Sequence, residues 1–535
     1  MLFPLLQIPS LMLYAETHFR FFRFFPSFLF RKEPEILFDL PRRIDPGMDL
    51  PIMLICNDIN AFPIDIKKVS IVISQKGVHP ITFTFNDVNC YKVKHPLQEQ
   101  SSVYLFSIKR TTLKNGHIYV NCKASILNQN HDIEVLNDNL FSSSKMSFTC
   151  FLAESKLPGS DICSYGDIHI HSQYSQSHIE FGPPIVVIDK MVESSGLDFY
   201  AITDHSYDIA CHIANYLKSD SSLTRWNAFL NDSMQPLKKI LVRGEEISCK
   251  NSQNHSIHLC ALNISDYISG CIDGARKDKL ETLSLKEAIQ QVHLQNGIAI
   301  AAHPGSKFGF LQRFLLKRGS WHESDMMQAI DAVQAVNNGF KKSWEISKAL
   351  WIKELLKGRK IQLVAGNDSH GDFNRYRYIS MPFISIAEDF ERYLGYTKTG
   401  IYGKTATPDD VTSAIKNGRT FVTSGPYLEL SANTQLKNQC SIANTIPVGT
   451  KAITAIIKSN NEFGFPKKLE IYWGNYSSKK ETLFLKRDYK NNEFEINVEI
   501  EICNLLEKGY LRAELTCEKY DTTTSFAATS PCYFT

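Results

Sequence analysis

The 535-residue sequence contains no C-x-x-C pair, although thirteen cysteines are scattered along it. That absence excludes zinc ribbons and thioredoxin-type redox centres. An odd, unpatterned set of thiols points to reduced cysteines and a cytoplasmic protein rather than a disulfide framework. Charge of one sign is also missing. Lys and Arg number 59 against 56 Asp and Glu, a net charge of +3, so no dedicated nucleic-acid patch is evident. No apolar run reads as a transmembrane segment: "MLFPLLQIPSLMLYAE" is broken by two prolines and a glutamine. The aromatic, basic stretch "HFRFFRFFPSFLFRK" that follows reads as an irregular N-terminal arm. A serine-nucleophile elbow, G-x-S-x-G, does not occur. "GIYGKT" at Gly400 falls short of a P-loop, because Lys398 stands where the leading glycine belongs.

What is present divides the chain into three. Residues 1–160 hold the arm and then short alternating runs such as "KKVSIVIS", "ITFTF", "SVYLFSI" and "HIYVNCKASIL", the pattern of an antiparallel β-sandwich. Residues 421–535 return to that pattern with "KAITAIIKS", "KKLEIYWG" and "YLRAELTC", a second β-domain. Between them, residues 161–420 alternate seven apolar strand segments with helical ones. This predicts an α/β fold, a parallel sheet closed into a β/α barrel and flanked by the two β-sandwich domains.

The middle region carries the chemistry. "GDIHIHSQYSQSH" puts Asp167, His169 and His171 on one face of a strand, since side chains two apart share a face. Two imidazoles side by side make a poor core and a good ligand pair. Further candidates fall at or near strand ends: Asp204 and His205, Glu246, His303, Asp368 and His370, with His258 inside its strand. Mixed nitrogen and oxygen donors without cysteine suit a cluster of divalent transition-metal ions, Zn, Mn or Fe, with a carboxylate bridging two of them.

These motifs, in this order, resemble the PHP (polymerase and histidinol phosphatase) metallohydrolases: "DIHIHS", "AITDHS", "VRGEEIS", "NHSIHLCALNI", "AAHPG" and "GNDSH". The resemblance implies a distorted seven-stranded β/α barrel with two or three metals, Glu246, His303 and Asp368 as the catalytic residues, and one metal held by His169, His171, Glu246 and Asp368. Glu246 would bridge to a second metal held also by His258 and His303, and His205 and His370 would serve a third. Asp204 would be a ligand or the acceptor that fixes an imidazole, and Glu245 is the rival to Glu246. In one departure, "YSQSH" places Gln176 where relatives carry an acid, with His178 as a substitute from the same loop. "GRTFVTSGPYLEL" is similar to the segment that closes the barrel in the carbaryl-hydrolase-like branch.

The function expected is therefore a metal-dependent hydrolase that uses a metal-bridging hydroxide, with a phosphate ester as the first choice of small-molecule substrate. A carbamate, ester or amide is the alternative, and a non-catalytic, metal-stabilised binding scaffold the second alternative. Lys307, Arg313 and Arg375 are the cations available for substrate oxygens. Nothing in the sequence fixes the oligomeric state.

Overall fold

The computed structural model describes residues 6–7 and 34–534, except 129–130, 140–145, 176–181, 214, 271–280, 309–312, 314–316, 338, 341, 372, 375–377, 382–383, 388–391, 433–444, 448, 504 and 506–507. The N-terminal arm, Gln176, His178 and Arg375 thus lie outside the described residues.

All seven expected central strands form: β1 (Cys163–Ile170), β2 (Phe199–Ile202), β3 (Ile240–Lys250), β4 (Ser256–Leu262), β5 (Ile298–Ala301), β6 (Ala332–Val336) and β7 (Gln362–Ala365). They pair in chain order, followed on the β1 side by β8 (Lys398–Tyr402) and β9 (Thr420–Thr423). Their apolar residues split between two cores. Ile168, Val242, Ile300 and Val364 pack on one side with the helix Pro408–Lys416. Ile170, Leu259, Ala301 and Leu363 pack on the other with helices Ile185–Ser195 and Leu285–Leu294.

The seven-stranded β/α barrel is overturned by this architecture. The strands belong to a 15-stranded mixed sheet, with β7 at one end of its order and no strand pairing between β7 and β1. Hydroxyls cover the β7 edge instead. Thr399 Oγ1 accepts from Ala365 N–H (2.8 Å) and donates to its carbonyl (2.7 Å), while Ser530 Oγ accepts from Leu363 N–H (2.9 Å). Pairings β3–β4, β4–β5 and β1–β8 are antiparallel. The five residues between β3 and β4 leave no room for a crossover helix. Among the described residues there are seven α-helices, two of them only four residues long. Burial on both faces produces the continuous apolar runs typical of parallel α/β sheets, which is why the pattern reads as a barrel.

The flanking regions follow period-2 alternation. A four-stranded sheet and a six-stranded sheet enclose a core confined to residues 36–152. The strand Leu50–Asn57 is buried throughout, because Ile52 and Leu54 face that core while Met53 and Ile55 face the central one. At the other end β9 pairs with Thr524–Thr529, so the C-terminal strands continue the central sheet. No helix among the described residues is long and apolar enough to cross a membrane.

Candidate metal centre

Backbone hydrogen bonds just beyond the strand ends gather the donors. Asp368 N–H donates to the His169 carbonyl (2.9 Å) and His171 N–H to that of Ser369 (2.9 Å). Thr203 N–H donates to Ile170 (2.8 Å), and Glu246 N–H to Asp204 (2.9 Å). Gly366 permits the first of these approaches, since a Cβ there would stand 2.6 Å from the His169 Cβ. Two candidates sit in left-handed backbone, His303 (φ 31°) and Asp368 (φ 53°). For His303 this is a sparsely populated conformation of the kind that clusters at functional sites.

Glu246 is the hub. Its Oε1 lies 2.7 Å from His258 Nδ1, 3.1 Å from His303 Nε2 and 3.4 Å from His169 Nε2. Its Oε2 lies 2.9 Å from His205 Nδ1 and 3.6 Å from His171 Nε2. Asp368 Oδ1 stands 3.4, 3.3 and 3.4 Å from the Nε2 atoms of His169, His171 and His370. The His171 and His370 rings stack at 3.9 Å. Donor atoms within 4.8 Å of one another form three overlapping groups: His169–His171–Glu246–Asp368, His205–Glu246–His258 and His171–His205–His370. His303 meets Glu246 but enters none of the three. Asp204 also stands outside them, accepting from the Ser172 N–H (2.7 Å) and hydroxyl (2.6 Å) and so fixing the turn after His171.

The buried carboxylates and imidazoles shift one another's protonation in opposite directions. Burial alone would lift the Glu246 carboxyl, yet His258 and His169 outweigh it and hold the group well below the usual range. Asp368 is likewise held down against burial by Arg392 and His169. Burial works against protonating His169, but Cys260, Glu246 and Asp368 carry it well above the ordinary histidine value. Burial, then His171, drives His370 well below it. Glu246 Oε2 and Asp368 Oδ1 are buried and accept no hydrogen bond, while Asp368 Oδ2 faces the Arg392 guanidinium at 3.3 Å. His169 Nδ1 lies 2.8 Å from Gln334 Oε1, which can only accept from the ring, leaving Nε2 as the atom turned to the carboxylates. Orphaned carboxylate oxygens facing imidazole nitrogens fit divalent ions of the Zn, Mn or Fe type.

Glu245 points the other way, as alternation along a strand requires. It is fully buried, accepts from Ile268 N–H (2.8 Å), and burial pushes its carboxyl well above the normal value. A carboxyl that stays protonated in the fold but ionises at about 4.3 when unfolded costs stability as pH rises above that value and up to its folded pKa. Glu245→Gln should therefore keep the metal and gain stability over wild type at pH 8 relative to pH 5, read by chemical denaturation at both pH values. A loss that grows with pH would contradict the neutral carboxyl.

Two buried arginines escape a motif search. Arg392 Nη2 lies 3.3 Å from Asp368 Oδ2. Arg318 Nη1 lies 2.6 Å from His258 Nε2, beside a recess of about 10 Å³ that His303 and Trp321 also line. That volume holds about one water. Single arginines carry no spacing signature, and the only hint of Arg318 is its place in the loop "GSKFGFLQRFLLKRGSWHESD". Lys307 and Arg313 are exposed.

No protein-family model matches the sequence, and none of the curated proteins does. Among solved structures, a Bacteroides fragilis protein assigned as a beta-galactosidase aligns over 92% of this chain and 72% of its own, at 10% identity and a TM-score of 0.16. A beta-glucuronidase from Parabacteroides merdae aligns over 93% and 63%, at 8% identity and a TM-score of 0.18. Alignments this loose describe no shared fold.

Proposed function

We propose that this chain is a metal-dependent hydrolase of phosphate esters, with the metal-ligand motifs of the PHP resemblance as its catalytic centre. One observation carries the proposal: a buried carboxylate, Glu246, meets five imidazoles across its two oxygens. His169, His171 and Asp368 would hold an ion on one side of Glu246, and His205 with His258 another. Bound divalent ions supply Lewis acidity and an acidified water, so no separate side-chain base is needed.

The chain's own residues do the rest. Arg392 keeps Asp368 ionised and oriented, and Gln334 fixes the His169 ring. His303, the most exposed donor at 9%, stands with Arg318 at the recess where a substrate oxygen would enter. Buried guanidinium beside the donors favours a substrate whose non-transferred oxygens are charged, because guanidinium pairs strongly with phosphoryl oxygen. Carbamate or ester hydrolysis is the second reading, supported by the likeness of "GRTFVTSGPYLEL" to the carbaryl-hydrolase-like branch.

Protein purified without chelator should carry at least two equivalents of transition metal after reconstitution. It should turn over phosphomonoesters faster than phosphodiesters or aryl carbamates of the same leaving group. Elemental analysis with a side-by-side activity screen tests both statements. Less than one equivalent of metal would remove the hydrolase reading and leave the scaffold, and a faster carbamate would exchange the two substrate classes.

A further inference from the structure

A second concave site lies away from the histidine recess. It is a groove of about 450 Å³ where the N-terminal sheets, the central sheet and the C-terminal strands meet. That size falls in the range of small-molecule pockets. Its walls include Phe151, Tyr393, Tyr396 and Phe463, and four cations, Arg42, Arg43, Lys398 and Lys519, line it with two carboxylates, Glu462 and Asp521.

Neither Arg42 nor Lys398 has a carboxylate partner within ion-pair distance among the described residues. Arg42 donates to one carbonyl, Asn374 O at 3.2 Å, and its guanidinium lies 3.9 Å over the Tyr393 ring. Its Nε is buried and donates to nothing. Lys398 is 4% exposed, and its ammonium makes only long contacts, 3.4 Å to Tyr396 O and 3.3 Å to Ser424 O, with the Phe463 ring 5.9 Å away. A buried cation normally has a paired anion or shifts toward neutrality. Burial, with Arg43 nearby, accordingly brings the Lys398 amine down to about 8. Arg43 in the same groove shows the contrast, being matched to Asp45 (2.7 Å) and Glu462 (2.8 Å).

We propose that this groove binds a small aromatic anion, a carboxylate or phosphoryl group on a flat ring, at a site separate from the histidine cluster. Lys398 and Arg42 receive the charged head, and the aromatic walls receive the ring. One segment, Arg392 to Lys398, faces both sites. Arg392 contacts Asp368, whereas Tyr393, Gly395, Tyr396 and Lys398 line the groove. Gly395 N–H donates to Asp167 Oδ2 (3.2 Å), and Thr397 exchanges hydrogen bonds with Asn367, the residue before Asp368. Occupancy of the groove therefore changes metal affinity through Asp368, and this coupling, unlike the binding itself, rests on the metal reading.

Calorimetric titration of the full-length, chelator-treated protein tests the binding, with benzoate, phenylphosphonate, benzyl alcohol and benzylamine as probes. At least one of the two anions should bind saturably below about 10 mM, and Lys398→Met should weaken it about tenfold or more. Arg42→Met provides the same readout should Lys398→Met fail to fold by circular dichroism. Affinity unchanged in the folded variants, benzyl alcohol or benzylamine matching the anions, or no saturable anion binding overturns the site. Zinc titration with and without the bound anion should differ about fivefold, the low end of ordinary coupling. Identical zinc affinities overturn the coupling. Absence of zinc binding would instead overturn the metal reading, with the groove decided by the calorimetry.

Discussion

Replacing Glu246 with Gln should strip the protein of its ions and lower hydrolysis by about 10³-fold or more, since even outer partners of metal ligands cost 10–100-fold. The side chain keeps its length and shape, so the packing around it is preserved. What disappears is the charge on which five imidazoles converge and the second oxygen able to share two ions. The amide nitrogen would also turn a donor toward nitrogens that must themselves point lone pairs at metal. Elemental analysis and turnover, measured with circular dichroism as the fold control, read both losses together. Full metal content with lost activity would make Glu246 a reacting group and not the bridge. Unchanged activity would move the hydrolytic site elsewhere. The adjacent Glu245→Gln, facing Ile268, is the internal comparison that separates the two faces of one strand.

The strands and the donors were legible in the sequence, but the closure of the sheet was not. Alternation in "GDIHIHS" fixes the shared face of His169 and His171, and both meet the same two carboxylates, Glu246 and Asp368. Local pattern also identifies segments such as "GIAIAAHP" as buried strands. It carries no information about what covers their edges. The antiparallel β4–β5 pairing and the hydroxyls of Thr399, Thr420 and Ser530 along β7 join residues tens to more than a hundred positions apart. Arg318 and Arg392 were illegible for a related reason. An arginine is ordinarily a surface residue, and only tertiary packing brings these two beside the donors.

Arg318→Met should separate substrate handling from metal binding. A guanidinium can only donate, so in its 2.6 Å contact with Arg318 the His258 Nε2 is an acceptor. The ring hydrogen then sits on Nδ1 and faces Glu246 Oε1 at 2.7 Å. Were Nδ1 to hold an ion it would have to give up that hydrogen, and the ring's remaining N–H would then confront Arg318. Metal binding at His258 through Nδ1 would therefore compete with the Arg318 contact, and loss of that contact would leave the guanidinium lining the recess beside His303. Methionine fills much of the arginine stem volume and removes the charge. Metal affinity should stay equal or rise, while phosphomonoester turnover should fall about 10²–10³-fold, the usual cost of losing one preorganised charge-stabilising donor. A neutral aryl carbamate, with no charged oxygens to clamp, should lose far less. Metal titration and the two turnover rates on one folded variant decide the matter. Equal losses on the charged and neutral substrates would mean that Arg318 only holds the loop in place, and the preference for phosphate esters would lose its main support.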